Sequence, residues 1–369
     1  MNICLIGDNI TSLTLAKNLV NKNIKVVVYH NRKNNFQYQS RIIGISKNNL
    51  DFFNNKILKI KKKQIWKING IDVFYSKIDS NKIFNFNNSG DTIFSTVKHA
   101  DLYKNLNENL NENLKKKKLF KKILINKKNF YEKIIKEKKY QLIINCESNN
   151  EITKKYFYNR IIKDYKSSAY TTIIKHHYFN NLRAIQIFTE IGPIAFLPIS
   201  NYETSIVYSI TKDQSNFNDD EIKNLIKRYN KNYIIKSFSK VEKFKLNFSI
   251  LKNYYNKNIL SFGDSIHRIH PLAGQGFNMT LRDIKVLSKI IQDRIDLGLE
   301  LNFGVYEEFE KKTKHLNYIF ATGIDFIHEF FKFDNKSKKK YLNPILKMVG
   351  KNKYFNEIAK KYADQGLMF

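Results

Sequence analysis

The sequence predicts an α/β protein with a βαβ unit at its amino terminus, an antiparallel sheet inserted midway and a helical carboxyl-terminal region. Three observations predict it. An apolar run over residues 2–7 is followed at helical spacing by Ile10, Leu13, Ala16, Leu19 and Val20, then by a β-branched run over 24–29. Residues 168–249 alternate strand-like runs with short polar breaks, and beyond Leu301 helical spacing prevails.

Residues 2–6 are largely apolar, as a strand buried on both faces of a parallel sheet requires, and they end at Gly7. The βαβ unit that follows is where a dinucleotide-binding fold begins. Leu102, Leu106, Leu110 and Leu114 share one stripe, which predicts a helix over 101–119. Residues 123–125 and 142–146 are two further strand candidates. The runs 169–174, 184–189, 194–199 and 204–210 predict antiparallel strands of a separate sheet. From Ile259 a strand leads into Gly263, and a helix starts near Gly276 and continues through Leu281, Ile284, Leu287 and Ile291.

A chain of 369 residues exceeds what one core serves, so two or more associated domains are expected. Apolar residues at 42% and aromatics at 14% argue against disorder. The net charge is 65 − 33 = +32, but lysine, asparagine and isoleucine dominate everywhere, and runs such as 115–118 read as solvated faces. No nucleic-acid motif accompanies the charge, so no nucleic-acid partner is expected. Cys4 and Cys146 each lie in an apolar run, indicating neither a disulfide framework nor a cysteine metal site, and a reducing cytoplasm fits. No stretch of about 18 apolar residues occurs, and the amino terminus lacks a signal-peptide pattern, so export and membrane spanning are not expected.

The chemistry concentrates in residues 259–278. A strand ends at Gly263, Asp264 follows, and a turn containing Gly274 and Gly276 opens a helix. Glycines there let backbone N–H groups approach a ligand, and the helix start aims roughly half a positive charge at it. A ring that becomes anionic on reduction would be stabilised at that point. Asp264, at a strand's carboxyl end, is placed to accept from polyol hydroxyls.

This segment resembles the signature of the ubiquinone-biosynthesis hydroxylases, FAD-dependent aromatic-ring monooxygenases related to p-hydroxybenzoate hydroxylase. Their pattern is GD or GN, a small residue, then H, HPxAGQGxN and a nearby Asp, here met by His267, His270 and Asp283. The resemblance implies a three-layer ββα Rossmann-like FAD-binding domain with an inserted antiparallel-sheet substrate domain. The boundaries drawn on it are 1–70, 95–165 and 250–300 for the FAD-binding domain, 71–94 and 166–249 for the substrate domain, and 301–369 for the helical region. Gly263 and Asp264 would bind the ribityl or pyrophosphate part of FAD, while Pro271, Ala273, Gly274, Gln275, Gly276, Phe277 and Asn278 would line the isoalloxazine. Arg41, followed by Ile45 and Ser46, resembles the family's flavin-side arginine segment, and residues 188–198 resemble its substrate-domain stretch. The implied activity is hydroxylation of a polyprenylated phenol with NAD(P)H and O2 through a C4a-hydroperoxyflavin. The substrate would be drawn from a membrane, on whose cytoplasmic face the protein would sit peripherally or within a quinone-biosynthesis complex.

The family pattern is incomplete at the amino terminus. Of the dinucleotide fingerprint only Gly7 is kept. Asn9 is expected to take the left-handed conformation, and Ser12 is small enough for close helix–strand packing. His30 stands where the family has a ribose-binding acid, and residues 146–148 read Cys-Glu-Ser where it has Cys-Asp-Gly. A catalytically eroded scaffold subunit is therefore the competing expectation. His267 and His270 lack further ligands in the turn, so no metal is expected. No general base stands out. The aromatic stretch 318–331 reads as core packing, with a basic amphipathic surface as the alternative.

Overall fold

The computed structural model describes residues 1–31, 40–75, 84–87, 92–125, 132, 134–135, 139–211, 217–270 and 275–336. The expected βαβ unit is present as β1 (Asn2–Ile6), α1 (Ile10–Asn21) and β2 (Lys25–His30), with β1 and β2 parallel. Next come β3 (Ile42–Ser46), α2 (Lys47–Lys56), β4 (Trp66–Ile68), β5 (Gly70–Tyr75), β6 (Phe84–Asn87) and β7 (Phe94–Lys98). They are followed by α3 (His99–Lys117), β8 (Phe120–Leu124), β9 (Leu142–Asn145) and α4 (Glu151–Tyr156). The middle of the chain holds β10 (Arg160–His176), β11 (Arg183–Thr189), β12 (Gly192–Pro198), β13 (Glu203–Thr211), α5 (Asp219–Tyr229), β14 (Ile235–Phe238) and β15 (Glu242–Leu251). The short strands β16 (Tyr255–Asn256), β17 (Ile259–Ser261) and β18 (His267–Arg268) precede α6 (Gln275–Asp296) and α7 (Phe303–Lys336).

Six strands form the first sheet in the order β16-β17-β9-β1-β2-β8, parallel except for β16. Its central strand is buried from Ile3 to Ile6, which is why that run needs no polar alternation. Because the strands run the same way, the residues after β1, β2, β9 and β17 meet at one edge, where sheets of this kind bind ligands. A three-stranded sheet, β3-β7-β4, packs against α6 through β3.

The largest sheet has the order β18-β15-β10-β13-β12-β11-β5-β6, with β14 also on β10. The four strands expected over 169–210 are all in it and pair antiparallel with their neighbours there, β11 also pairing parallel with β5. Strand β10 starts earlier than the sequence pattern shows, at Arg160. Its first half carries exposed residues of both kinds, so a period of two is not visible there.

Helix α7 joins two cores. Val305, Tyr306 and Phe309 are buried with the first sheet, whereas Phe320, Ala321 and Ile324 are buried with Tyr165, Leu246 and Phe248 of the largest. The aromatic stretch is thus core packing at Phe320, while Phe326 is 68% exposed. Residues 337–369, which include most of the basic tail, lie outside the described residues.

Candidate functional site

The turn after β1 is built around Gly7. Its φ of +113° favours glycine, and an added Cβ would stand a tight 3.3 Å from Cβ of Glu147. Its N–H donates to Tyr29 O at 2.8 Å. Asn9 departs from the expected left-handed conformation, being extended at φ −138°, because it is the N-cap of α1. Its Oδ1 accepts from Ser12 N at 3.0 Å and its Nδ2 donates to Cys146 O at 2.8 Å. Ser12 Oγ accepts from Asn9 N and donates to Gly7 O at 2.7 Å. The side chains of Asn9 and Ser12 therefore lock the turn to itself and to β9, a capping box contributing about 1 kcal/mol.

Asp8, between them, went unnoticed in the sequence. Its carboxylate is 2.7 Å from Lys122 Nζ, accepts from Tyr103 OH at 2.8 Å and lies 3.9 Å from His30 Nδ1. Burial, and secondarily Asp8, pushes the Tyr103 hydroxyl up, so it stays a donor. An acid is thus present beside His30, on the neighbouring turn rather than on β2. The sequence signal was an acid directly after the single fingerprint glycine.

At the end of β17, Gly263 has φ +64°, and an added Cβ would stand 2.5 Å from Thr11 Cγ2. That contact seats the start of α1 against the β17 turn. Asp264 is exposed at this edge. Near it lies His99, at the start of α3, whose backbone N–H donates to Arg41 O at 3.0 Å. Burial, then the Arg41 guanidinium, pushes the His99 imidazole down to about 4, with Asp264 opposing. His99, which nothing in its sequence context marked, thus lies within electrostatic reach of both Arg41 and Asp264.

Pro271, Ala273 and Gly274 lie outside the described residues. Helix α6 opens at Gln275, whose Oε1 is buried without a partner among the described residues. A Cβ on Gly276 would meet no atom of the described residues within 4 Å, so among them the first turn of α6 faces open space on that side. Two expected lining residues point elsewhere. Phe277 is packed into the first core. Asn278 Oδ1 accepts from Ser46 N and from Asn49 Nδ2, both at 3.0 Å, and its Nδ2 donates to Gly44 O at 2.9 Å. At about 100° per residue, the helix that turns Gly276 to the open side turns Phe277 and Asn278 inward.

The two histidines of the segment also have neighbours within the protein. His267 Nε2 is 2.8 Å from Asp283 Oδ2, and Asp283 Oδ1 accepts from Asn317 Nδ2 at 3.0 Å, all buried. The His270 ring meets the Tyr165 ring edge-on at 5.4 Å. Among the described residues no three His, Cys, Asp or Glu side chains gather as metal ligands.

Residues 143–296 match the family model described as FAD binding domain. The mitochondrial ubiquinone biosynthesis monooxygenase of Caenorhabditis elegans is 22% identical over 196 residues, 42% of this chain and 44% of that protein. The 3-demethoxyubiquinol 3-hydroxylase of Escherichia coli is 26% identical over 152 residues, 40% of this chain and 39% of that protein. The chain matches less than half the length of these curated relatives. Among solved structures, p-nitrophenol 4-monooxygenase from Pseudomonas putida superposes with a TM-score of 0.75 at 10% identity, covering 100% of this chain and 98% of that one. A probable FAD-dependent monooxygenase from Pseudomonas aeruginosa does so with a TM-score of 0.71 at 13% identity, covering 90% and 96%. Residues 143–296 thus match an FAD binding domain, and the fold over the whole chain is that of these two monooxygenases.

Proposed function

We propose that the protein is an FAD-dependent, NAD(P)H-consuming hydroxylase acting on the aromatic ring of a polyprenylphenol-type intermediate of ubiquinone biosynthesis. The observation that carries this reading is the room over Gly276 at the start of α6, bordered by a buried Gln275 acceptor, neither of them met by a described residue. The residues present fit a flavin. Gly7 and the start of α1 would face its pyrophosphate, Asp264 would accept from its ribityl hydroxyls, and Gln275 Oε1 offers an acceptor to an imide N–H.

Bound FAD supplies the electron and oxygen chemistry that no side chain here can supply. The protein's part is to hold, orient and shield. The first-turn N–H groups of α6 lack intrahelical partners, and their partial positive charge would favour an anionic form of a ring bound before them. Phe277 and Asn278 keep that turn fixed by packing inward. The neutral His99 imidazole beside Arg41 and Asp264 leaves the arginine as the cation of that edge. On the same reading the substrate is drawn from a membrane surface, with the protein peripheral on its cytoplasmic face and exposed Phe326 available as an apolar contact. No described helix is long and apolar enough to cross a membrane.

The test is flavin content and product. Purified protein should carry FAD, and Gly276→Trp should lose it while melting at the temperature of wild type stripped of flavin. Deleting the gene should make an under-hydroxylated prenylphenol accumulate. Colourless protein that gains no stability from added FAD would instead favour the scaffold reading.

A further inference from the structure

Exposed apolar side chains are ordinary when scattered singly. Three of them gather at one end of the largest sheet. Tyr178, just past β10, is 64% exposed, Tyr202, in the turn before β13, is 56% exposed, and Ile234, just before β14, is 73% exposed. Backbone hydrogen bonds draw their segments together: His176 N donates to Tyr202 O at 2.9 Å, His177 N to Ile234 O at 3.0 Å and Phe179 N to Asn201 O at 3.0 Å. The Tyr178 and Tyr202 rings meet edge-on at 5.7 Å.

The ground beneath this tip is fixed by buried polar groups. Asn181 Nδ2 donates to Ser200 O and to Thr204 Oγ1, both at 2.8 Å, and its Oδ1 accepts from Tyr233 OH at 2.8 Å. The His176 ring lies 4.5 Å from the Tyr233 ring, with its Nε2 3.0 Å from Thr204 Oγ1. The tip is therefore a firm platform that holds three apolar groups in water. Its charges are almost all of one sign. Residues 175–182, 199–203 and 230–237 include Lys175, Lys231 and Lys236, all exposed, against a single acid, Glu203, whose carboxylate meets Lys98 Nζ at 2.8 Å. Tyrosines with an isoleucine between lysines suit a membrane interface. Phenol hydroxyls stay among the headgroups, the apolar bodies enter the acyl boundary, and ammonium groups meet anionic phosphates.

We propose that the tip formed by Tyr178, Tyr202 and Ile234 is a docking surface for an anionic lipid bilayer. The inference rests on the reading above for its purpose, the substrate being drawn from a membrane, and on the tip itself for its chemistry. Lys98, which holds Glu203, directly precedes His99, and His99 lies within electrostatic reach of Asp264, so the tip adjoins the edge assigned to the flavin. Phe326 is a lone ring beside Asp325 and Glu329, which both pair with Lys163 near the other end of β10, roughly 40 Å of strand away. An anionic surface is repelled there and attracted at the tip.

The experiment is co-sedimentation of the purified protein with vesicles of phosphatidylcholine, with or without phosphatidylglycerol. Wild type should bind the anionic vesicles more tightly than the neutral ones. Tyr178→Ser, Tyr202→Ser and Ile234→Ser combined should raise the lipid concentration for half-maximal binding about tenfold or more, and should melt as wild type does because these side chains face water. Lys175→Gln, Lys231→Gln and Lys236→Gln combined should weaken binding to anionic vesicles about tenfold or more. Removing three exposed charges on α6 and α7, by Lys285→Gln, Lys289→Gln and Lys311→Gln, should change it less than about twofold, distant charges being screened. Phe326→Ser should bind as wild type does. Equal losses from the two lysine sets would reveal a generic polycation and overturn the proposal, as would unchanged binding of the serine variant or a loss in Phe326→Ser. Wild type that ignores anionic vesicles overturns it too, and leaves the tip to an acidic protein. Vesicle binding requires neither flavin nor turnover, so protein without FAD would sink the hydroxylase reading while this test still decides the tip.

Discussion

Gly263 sits where two demands coincide: its left-handed backbone costs a non-glycine residue about 1–2 kcal/mol, and any Cβ there runs into Thr11 Cγ2 at 2.5 Å. Gly263→Ala should therefore lose more stability than the backbone term alone. Combining it with Thr11→Ala should recover the steric part, making the double variant more stable than Gly263→Ala in urea denaturation. Strict additivity would show that the contact is not what seats α1. His99 offers a second residue-scale test. Its folded pKa, about 4, lies below the ordinary 6.5, so between those values the unfolded chain binds more protons than the folded one. Stability held by the neutral imidazole is full above about pH 6.5 and is lost as pH falls toward 4. His99→Gln should flatten that part of the stability–pH curve relative to wild type. An unchanged difference between the two proteins across the window would place His99 in water.

The first half of helix α6 is held by buried polar side chains on two of its faces. Removing the Asn278 carboxamide would strand Ser46 N–H, Asn49 and Gly44 O, so Asn278→Ala should cost about 3 kcal/mol by denaturant unfolding. Asn278→Asp should not rescue it, because the atom facing Gly44 O would change from donor to acceptor. A loss below about 1 kcal/mol would mean that β3 stays on α6 without it. At the other face, Asp283→Ala leaves His267 buried without its partner and should cost about 3–5 kcal/mol. These roles mark how far the sequence was readable. The βαβ unit and the strands over 169–210 were legible because burial imposes a period along the chain. The flavin-type segment was legible because its residues are contiguous. Asn278 and Phe277 were assigned to the ring because a contiguous motif does not reveal which side of a helix each residue takes. Asp8 and His99 were passed over because their partners lie tens to more than a hundred residues away. His30 was read as a missing acid for the same reason, Asp8 being across the sheet edge rather than on its own strand.

The two large sheets behave as one body if α7 does what its packing implies. Tyr306 and Phe309 lock its first half under the parallel sheet, while Phe320 and Ile324 lock its second half onto β10 and β15, where Lys163 also meets Asp325 at 3.1 Å. A second tie comes from Trp66 of the small sheet, whose Nε1 donates to Asn181 O in the largest at 2.7 Å. Trp66 is the chain's one tryptophan, so its fluorescence reports on that junction, while far-UV dichroism reports on all elements together. Phe320→Ala removes a buried ring along with the face that Arg282 covers, at a cost of about 3–5 kcal/mol. If the cores are coupled through α7, both signals should move to the same lower urea midpoint, with no plateau between them. Separation into two transitions, with the tryptophan signal unmoved, would show instead that the sheets unfold independently and that the helix merely lies across them.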